Sequence, residues 1–268
     1  MTNPTSVETV NVVTPGEYLI FDVDGRDYYK ISLVQEIDNE DVEMVSVYRT
    51  LGFGEATVVN VFDKTRLSGI QAILNTHSEN ELLSVGDELY INRGGVPWKM
   101  HIAGIDLYEA HEVIFVSEVA NDTVSFSSTS VSAYVNTPIP AKCLEFYNSI
   151  NADERQLIKN KIVNGSNSSS GVTSSTEKVW VPTSSEVGLT ELNAEAAVNI
   201  IFPYFSVTPS NRVKKNSSGS VVNWWLASHG IGSHSNDYCY INGSGAKTWA
   251  YQTGSCNVLY CFRLTADV

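Results

Sequence analysis

The amino-acid sequence predicts an α+β protein, with a small N-terminal all-β module and then a domain of mixed short strands and two helices. Three observations indicate this class. β-rich runs flank Asp24-Gly25, apolar residues recur at helical spacing from Leu67 to Leu74, and short aromatic segments follow Trp224. The 268 residues are enough to bury a core in one large or two modest domains. The predicted divisions are a flexible arm (1–13), the β module (14–62) and the second domain (63–268).

The N-terminal module is predicted from turns and alternation. Asp24-Gly25 between two runs of β-branched and aromatic residues is a strong hairpin signal. Residues 42–48 alternate as a half-buried strand should, and residues 56–62 give one more apolar strand. A sheet this small has a limited core of its own. We therefore expect the module to dock the protein onto a larger assembly.

The second domain is predicted to open with a helix over 64–75 and to continue as short strands. Three strands follow the helix, then a partly helical segment at 132–150 and a second helix at 152–163. Asn- and Ser-rich residues 164–176 are too polar to pack, which predicts an exposed, mobile loop. The predicted strands of this domain are 85–91, 98–106, 112–117, 178–181, 224–228, 237–242, 247–252 and 258–264.

Charge and hydropathy exclude several classes of function. The formal charge is −13, from 17 Lys and Arg against 30 Asp and Glu, so no basic footprint exists for nucleic acid. No apolar run approaches the ~18 residues that a membrane span requires, so no membrane insertion is expected. The N-terminus lacks the basic and apolar regions of a signal peptide. We expect synthesis in a bacterial cytoplasm.

Several motifs in the second domain are typical of one kind of domain when they occur together. Trp224-Trp225-Leu226-Ala227-Ser228 forms a Trp-Trp-Leu-x-Ser strand, and residues 259–264 give an apolar-Arg-apolar final strand. Upstream come a helix, a Val-Gly-Asp strand, a Trp-containing strand, a strand ending in Ser, and a short strand running into a Ser-x-x-Glu pattern at 178–188. From about Leu67 onward the chain resembles the C-type-lectin-like fold, in an uncharacterised family of bacteriophage structural and gut-bacterial surface proteins.

The resemblance has implications for fold and function. That family is fold kin of formylglycine-generating-type enzymes and of the variable receptor-binding proteins of diversity-generating retroelements. The resemblance implies a phage or prophage virion protein, not an enzyme, that displays its lectin-like domain to bind a host-surface glycan or protein. Other virion proteins, reached through the N-terminal module, and further copies in a homo-oligomer are the expected partners. The expected core-defining residues are Trp98, Trp180, Trp224, Trp225 and Arg263.

The candidate ligand-binding residues lie in loops around the Trp-Trp strand, because rigid scaffolds present function on loops. No cofactor or metal is expected. Calcium-binding triplets containing Pro are absent, and Ser235-Asn236-Asp237 is interpreted as a turn rather than a set of calcium ligands. A purely structural role as a capsid or tail decoration protein is the alternative. The candidates are His229, Ser233, His234, Asn236, Asp237, Trp249 and Tyr251.

Two cysteines suggest a more distant alternative. Cys256 and Cys261 have the spacing of the copper-binding pair in formylglycine-generating-type oxidases, and thiolates suit Cu(I). Strand alternation, however, places residues at an odd offset on opposite faces. Free buried thiols are therefore the preferred interpretation. A disulfide among Cys239, Cys256 and Cys261 remains open.

Overall fold

The computed structural model describes residues 63–125, 132–190, 192–250 and 254–267, together with the backbone of four N-terminal strands and of Tyr251. The predicted arm at residues 1–13 lies outside the described residues. The chain forms two compact units, Met1–Ile73 and Leu74–Val268. The division between these units falls within the helix predicted over 64–75, and the predicted domain boundary stays a prediction. The described elements are mixed α and β, mostly strands in sheets with a few short helices.

The N-terminal unit contains an antiparallel sheet in the order β1–β2–β3–β4. Val23 pairs with Arg26, so the predicted Asp24-Gly25 turn falls between β1 and β2. These backbone pairings do not test attachment to an assembly, which stays a prediction. The strands are β1 (Tyr18–Val23), β2 (Arg26–Ile37), β3 (Glu40–Leu51) and β4 (Glu55–Phe62).

Two of the described helices are longer than one turn, α1 and α3. The second helix predicted for 152–163 is wrong beyond its first turn. Lys159 instead makes an extended bridge to Arg263, whose guanidinium also donates to the Asn160 carbonyl. That pairing draws the chain out of helical geometry. The helices are α1 (Leu67–Asn75), α2 (Glu79–Leu82), α3 (Ile139–Ser149), α4 (Ala152–Arg155), α5 (Asn193–Ala196) and α6 (Pro203–Ser206).

Fourteen strands follow the first helix in the described chain, and most of the predicted strands are found with shifted ends. The last predicted strand, 258–264, is divided between two elements. The strands are β5 (Glu88–Arg93), β6 (Val96–Ile105), β7 (Glu112–Ser117), β8 (Asn121–Ser125), β9 (Lys161–Ser166), β10 (Val172–Glu177), β11 (Val179–Trp180), β12 (Lys214–Lys215), β13 (Val221–Val222), β14 (Trp224–His229), β15 (Asp237–Ile241), β16 (Lys247–Tyr251), β17 (Ser255–Val258) and β18 (Cys261–Thr265).

Two five-stranded sheets organise the second unit. The first has the antiparallel order β11–β18–β7–β6–β5, and every residue of its middle strand β7 is buried. The second has the order β16–β15–β14–β17–β8, with a parallel β14–β17 pair and antiparallel pairs elsewhere. All six residues of β14 are buried too. Strand β14 is therefore a central core strand, as its two tryptophans suggested.

Both tryptophans of β14 are fully buried, as expected of core-defining residues. The Trp224 indole N–H donates to the Arg212 carbonyl at 2.9 Å, whereas that of Trp225 donates to the Val124 carbonyl at 2.9 Å. Adjacent strand residues point to opposite faces. Because β14 lies between two other strands and both its faces are covered, each indole is enclosed and its polar edge is satisfied.

The other expected core residues differ in burial. Trp180 is fully buried, whereas Trp98, which was also expected to define the core, is partly buried. It lies near the Gly94-Gly95 end of the β5–β6 hairpin, where the Arg93 guanidinium covers its ring at 4.7 Å. Arg263 is partly buried, and its side chain forms ion pairs instead of packing among apolar residues. Its guanidinium contacts Glu112 at 2.7 Å and Glu109 at 2.9 Å.

Residues 164–176, predicted as a loop, belong mainly to a β-hairpin, so that prediction is wrong. Strands β9 and β10 pair in register from Lys161↔Glu177 to Ser166↔Val172. The Asn167 side-chain oxygen accepts the Ser169 and Gly171 amides and closes the turn. Serine and asparagine serve here as turn and hydrogen-bonding residues, a role that polar composition alone does not distinguish from a loop.

Replacing either tryptophan of β14 by alanine should cost a similar, large amount of stability. We expect Trp224→Ala and Trp225→Ala each to lower the free energy of unfolding by about 3–5 kcal/mol, because each removes a fully buried indole. Urea unfolding followed by circular dichroism measures both losses. A loss below about 1 kcal/mol for either variant would show that its indole is not enclosed.

Candidate ligand-binding surface

The candidate surface lies where the second sheet reaches the loop after β14. His229 ends β14, and the Gly230 amide donates to the Asp237 carbonyl, which holds the two ends of the loop together. A short 3₁₀ turn over Gly232–His234 fills the loop. Strand β15 then runs back along β14, and β16 pairs with β15 at the sheet edge.

Three of the predicted residues form one packed group. The His234 ring stacks on the Trp249 indole, with ring centroids 4.1 Å apart and planes 5° from parallel. The His234 Nδ1 atom lies 3.0 Å from an Asp237 carboxylate oxygen, which orients the imidazole. Trp249 is 36% exposed, although it is a large apolar residue. We call His234, Asp237 and Trp249 the aromatic platform.

Gly230 is required for this packing. A Cβ atom at residue 230 would lie 2.4 Å from the His234 carbonyl oxygen and 3.1 Å from Trp249 Cδ1. The first contact is far shorter than any real Cβ contact and involves backbone, which cannot turn away as a side chain can. The absence of a side chain at Gly230 therefore allows His234 to close onto Trp249.

The remaining predicted residues differ in placement. Ser233 and Asn236 are exposed beside the platform. Tyr251 pairs with Asp237 through its backbone, and its side chain lies outside the described residues. His229 is fully buried and meets the Tyr238 ring edge-on, so its assignment to a ligand surface is wrong. The reason is that β14 continues one residue beyond its predicted end at Ser228, which places His229 in the core.

A basic groove adjoins the platform and was not predicted. Lys247 Nζ lies 5.8 Å from the centre of the Trp249 ring, and Lys247 also lines a groove of about 500 Å³. The Arg212 guanidinium is fixed there by the carbonyls of Gly245, Val187 and Phe205. Arg212 and Lys247 come from separate segments of the sequence, so no local pattern indicated the groove. The groove is lined by Leu189, Thr190, Arg212, Ser244, Gly245, Ala246 and Lys247.

A buried carboxylate anchors the end of β14 from which the loop starts. The side chain of Glu195 is almost inaccessible to solvent. Its oxygens accept the Ser166 amide at 2.7 Å, the Ser185 amide at 3.0 Å and the Ser228 hydroxyl at 3.0 Å. The Ser185 hydroxyl donates to it as well, at 3.1 Å. Three segments far apart in sequence therefore meet at one side chain, which we call the Glu195 hub.

The hub extends to the residues next to the platform. The Ser166 hydroxyl donates to the His229 carbonyl at 2.9 Å, and the Ser228 hydroxyl accepts the Ser184 amide at 2.7 Å. The last two residues of β14 are thus held by hydrogen bonds from Ser166 and Ser184. No spacing motif predicts this arrangement, because the donors come from residues 166, 185 and 228.

The two cysteines considered for copper binding, Cys256 and Cys261, belong to different sheets. None of the four described cysteines forms a disulfide and all are buried, so the disulfide left open is not found. Cys256 belongs to β17 of the second sheet, whereas Cys261 belongs to β18 of the first. Burial raises the pKa of Cys256 to about 12 and raises the pKa of Cys261 as well. In both cases the cause is desolvation, which favours the neutral thiol over the thiolate.

Comparison with known proteins gives one family. The model of DUF6273, described as a domain of unknown function, matches residues 111–264. The chain belongs to this family. The DUF6273 region includes the platform, the groove and the Glu195 hub. No curated protein and no solved structure matches the chain. The family description names no fold, ligand or virus, so the C-type-lectin-like resemblance stays a prediction.

In the described part of the chain, no helix is long and apolar enough to cross a bilayer.

Loss of charge at the hub should destabilise the DUF6273 region. We expect Glu195→Gln to lower the free energy of unfolding by about 2–4 kcal/mol. The glutamine –NH₂ group would replace one carboxylate oxygen, so a donor would lie against the N–H or O–H donors that this oxygen accepts. Chemical unfolding measures the loss. Glu145→Gln is the control, since Glu145 is an exposed partner of Lys142 and should change stability by less than about 0.5 kcal/mol. Equal effects of the two substitutions would contradict the hub.

A methyl group at Gly230 should open the platform. We expect Gly230→Ala to red-shift the Trp249 contribution to fluorescence, because His234 must move away from the indole. Trp249→Phe in both backgrounds isolates that contribution. Gly243→Ala is the control, because a Cβ atom at residue 243 meets only a Val221 side-chain methyl, at 3.1 Å. An unchanged spectrum in Gly230→Ala would contradict the packing.

Proposed function

We propose that this chain is a phage or prophage virion protein whose DUF6273 region has a C-type-lectin-like fold and binds a host-surface glycan or protein. The observation that supports binding most directly is the exposed Trp249, stacked on His234 at the edge of a sheet whose other tryptophans are buried. An exposed, prepacked indole is a usual feature of sites that stack on sugars or apolar groups.

The chemistry around the platform suits a polar ligand with an apolar face. Trp249 offers a stacking surface, and Ser233 and Asn236 are exposed hydrogen-bonding side chains beside it. Lys247 adds a positive charge next to the indole. A sugar ring has both features that such a site recognises, namely a face of C–H groups and a rim of hydroxyls. We therefore favour a glycan over a purely apolar ligand.

The proposal of a virion location rests on the resemblance of the motifs. The N-terminal strands would then attach the protein to neighbouring virion proteins, and the DUF6273 region would face outward. Stacking on one aromatic ring contributes about 1 kcal/mol beyond area burial, so a single site binds weakly. Several copies acting together would multiply this affinity through avidity. A homo-oligomer or multi-copy arrangement accordingly forms part of the proposal.

A structural decoration role is the second candidate, and one observation favours it. Four large aliphatic side chains are exposed within a ten-residue stretch, and Val207 reaches 79% exposure. Exposed apolar residues concentrated in this way are typical of protein interfaces. Such a surface would pack against a neighbouring subunit rather than a ligand. The four residues are Val198, Ile200, Ile201 and Val207.

Binding is tested with the full chain, biotinylated and tetramerised on streptavidin, on an immobilised panel of bacterial cell-surface polysaccharides. We expect the wild type to bind at least one polysaccharide and Trp249→Ala to lose more than about tenfold in signal, because tetramers amplify the loss of each stacking contact. EDTA should leave binding unchanged, since no platform residue belongs to a calcium triplet.

Tyr90→Ala is the matched control for this experiment. Tyr90 is also an exposed aromatic residue, at 39%, but it lies on β5 of the other sheet. Its substitution should leave binding intact. If the wild type binds no polysaccharide, or if Trp249→Ala binds as well as Tyr90→Ala, the structural role becomes the better account.

A further inference from the structure

A second cluster of chemically active side chains lies away from the platform, in the loop between β6 and β7. Asp106 directly follows β6, His111 directly precedes β7, and Glu79 begins α2. One potential ligand atom from each residue lies within 4.8 Å of the other two. Glu79 and Asp106 also lie outside the stretch that DUF6273 covers. No motif spacing predicts the cluster, because its members come from two separate segments.

The Glu79 carboxylate is an independent sign that a ligand is required. Glu79 is only 2% exposed, and one of its oxygens lies 2.8 Å from His111 Nδ1. The other oxygen, Oε2, is buried and has no hydrogen-bond partner among the residues that the structure describes. A buried carboxylate oxygen without a donor is costly, and a second carboxylate, Asp106, lies close by. A cation bound between Glu79 and Asp106 would contact the unpartnered oxygen and would also offset the repulsion between the two carboxylates.

We propose that Glu79, Asp106 and His111 bind a divalent transition-metal ion of the zinc class. One imidazole nitrogen and two carboxylate oxygens are donors that Zn²⁺ accepts in a tetrahedral site. Ca²⁺ fits the set less well, because it requires six to eight oxygen ligands. Three protein ligands leave a fourth position for water or for an external donor. This site is separate from the platform and does not depend on the proposed ligand binding.

Neighbouring residues already hold the three ligands in place. The Asn80 side-chain amide donates to Asp106 Oδ2 at 2.6 Å, and the Glu112 amide donates to Asp106 Oδ1 at 3.2 Å. The His77 ring stacks on the His111 ring, with centroids 3.7 Å apart. Outer contacts of this kind orient metal ligands and are worth roughly 10–100-fold in affinity. The alternative is a simple ion pair between Glu79 and protonated His111, which would bind no metal.

Isothermal titration distinguishes the two accounts. The full chain, stripped with EDTA and dialysed, is titrated with ZnCl₂ and separately with CaCl₂. We expect one Zn²⁺ per chain, weaker or no Ca²⁺ binding, and a rise in melting temperature with Zn²⁺. Glu79→Gln and His111→Ala should abolish that event. His234→Ala, which alters another histidine–carboxylate pair, should retain it.

Asn80→Ala tests the site without replacing a proposed metal ligand, in case the ligand variants fail to fold. Asn80 is exposed, so its substitution should leave the fold intact, yet it should weaken Zn²⁺ binding by about tenfold through the loss of a contact to Asp106. Circular dichroism confirms that each variant is folded. The proposal is overturned if the wild type binds no Zn²⁺. It is also overturned if folded Glu79→Gln or His111→Ala binds Zn²⁺ as tightly as the wild type.

Discussion

The candidate surface depends most on the hydrogen bonds that the buried Glu195 carboxylate accepts. The carboxylate receives donors from the β9 strand, from the turn after β11 and from β14, which are otherwise joined only by long stretches of chain. A buried charge is stable only when its oxygens are fully satisfied, and here four donors meet that requirement. Because the last residues of β14 are fixed in this way, the loop that follows starts from a defined position. Gly230 then allows the loop to fold back until His234 reaches Trp249.

A second buried network adjoins the first and uses opposite charges. Lys161 and Glu186 form an ion pair at 3.0 Å with both side chains buried, and Lys161 Nζ also lies 3.8 Å from the centre of the Tyr108 ring. The Tyr108 hydroxyl donates to Glu186, and burial raises the pKa of Tyr108. Thr183 and Glu186 exchange two hydrogen bonds in the manner of a capping box. Buried pairs contribute little net stability, but breaking them is costly. We infer that this network specifies how the β9 hairpin packs rather than how tightly the protein folds.

The sequence predicted local features well and long-range ones poorly. The Trp-Trp strand was expected from its motif, and the helix predicted over 64–75 from periodicity, which needs only neighbouring residues. The structure has that helix at Leu67–Asn75 and the predicted strand at Glu112–Ser117. Three of the seven candidate residues proved to be packed together, because a turn between two short strands brings close sequence neighbours together. The hairpin at 161–177, the burial of His229, the Glu195 hub and the Glu79 cluster could not be predicted. The Glu195 hub and the Glu79 cluster join polar residues from separate segments, and such partners leave no spacing pattern in a single sequence. The hairpin was missed because Ser and Asn are common in turns and loops alike, and His229 was misplaced because β14 extends one residue beyond its predicted end.

Amide hydrogen exchange tests the central role of the hub most directly. The Ser166 and Ser185 amides point at the Glu195 carboxylate, whereas the Ser218 amide donates to Asn216 on an exposed turn. If the hub fixes the region, the first two amides exchange only when the whole domain unfolds, with the same opening free energy as the buried amides of β14. The Ser218 amide should exchange by local opening and far faster. Exchange of Ser166 and Ser185 at the rate of Ser218 would contradict the account.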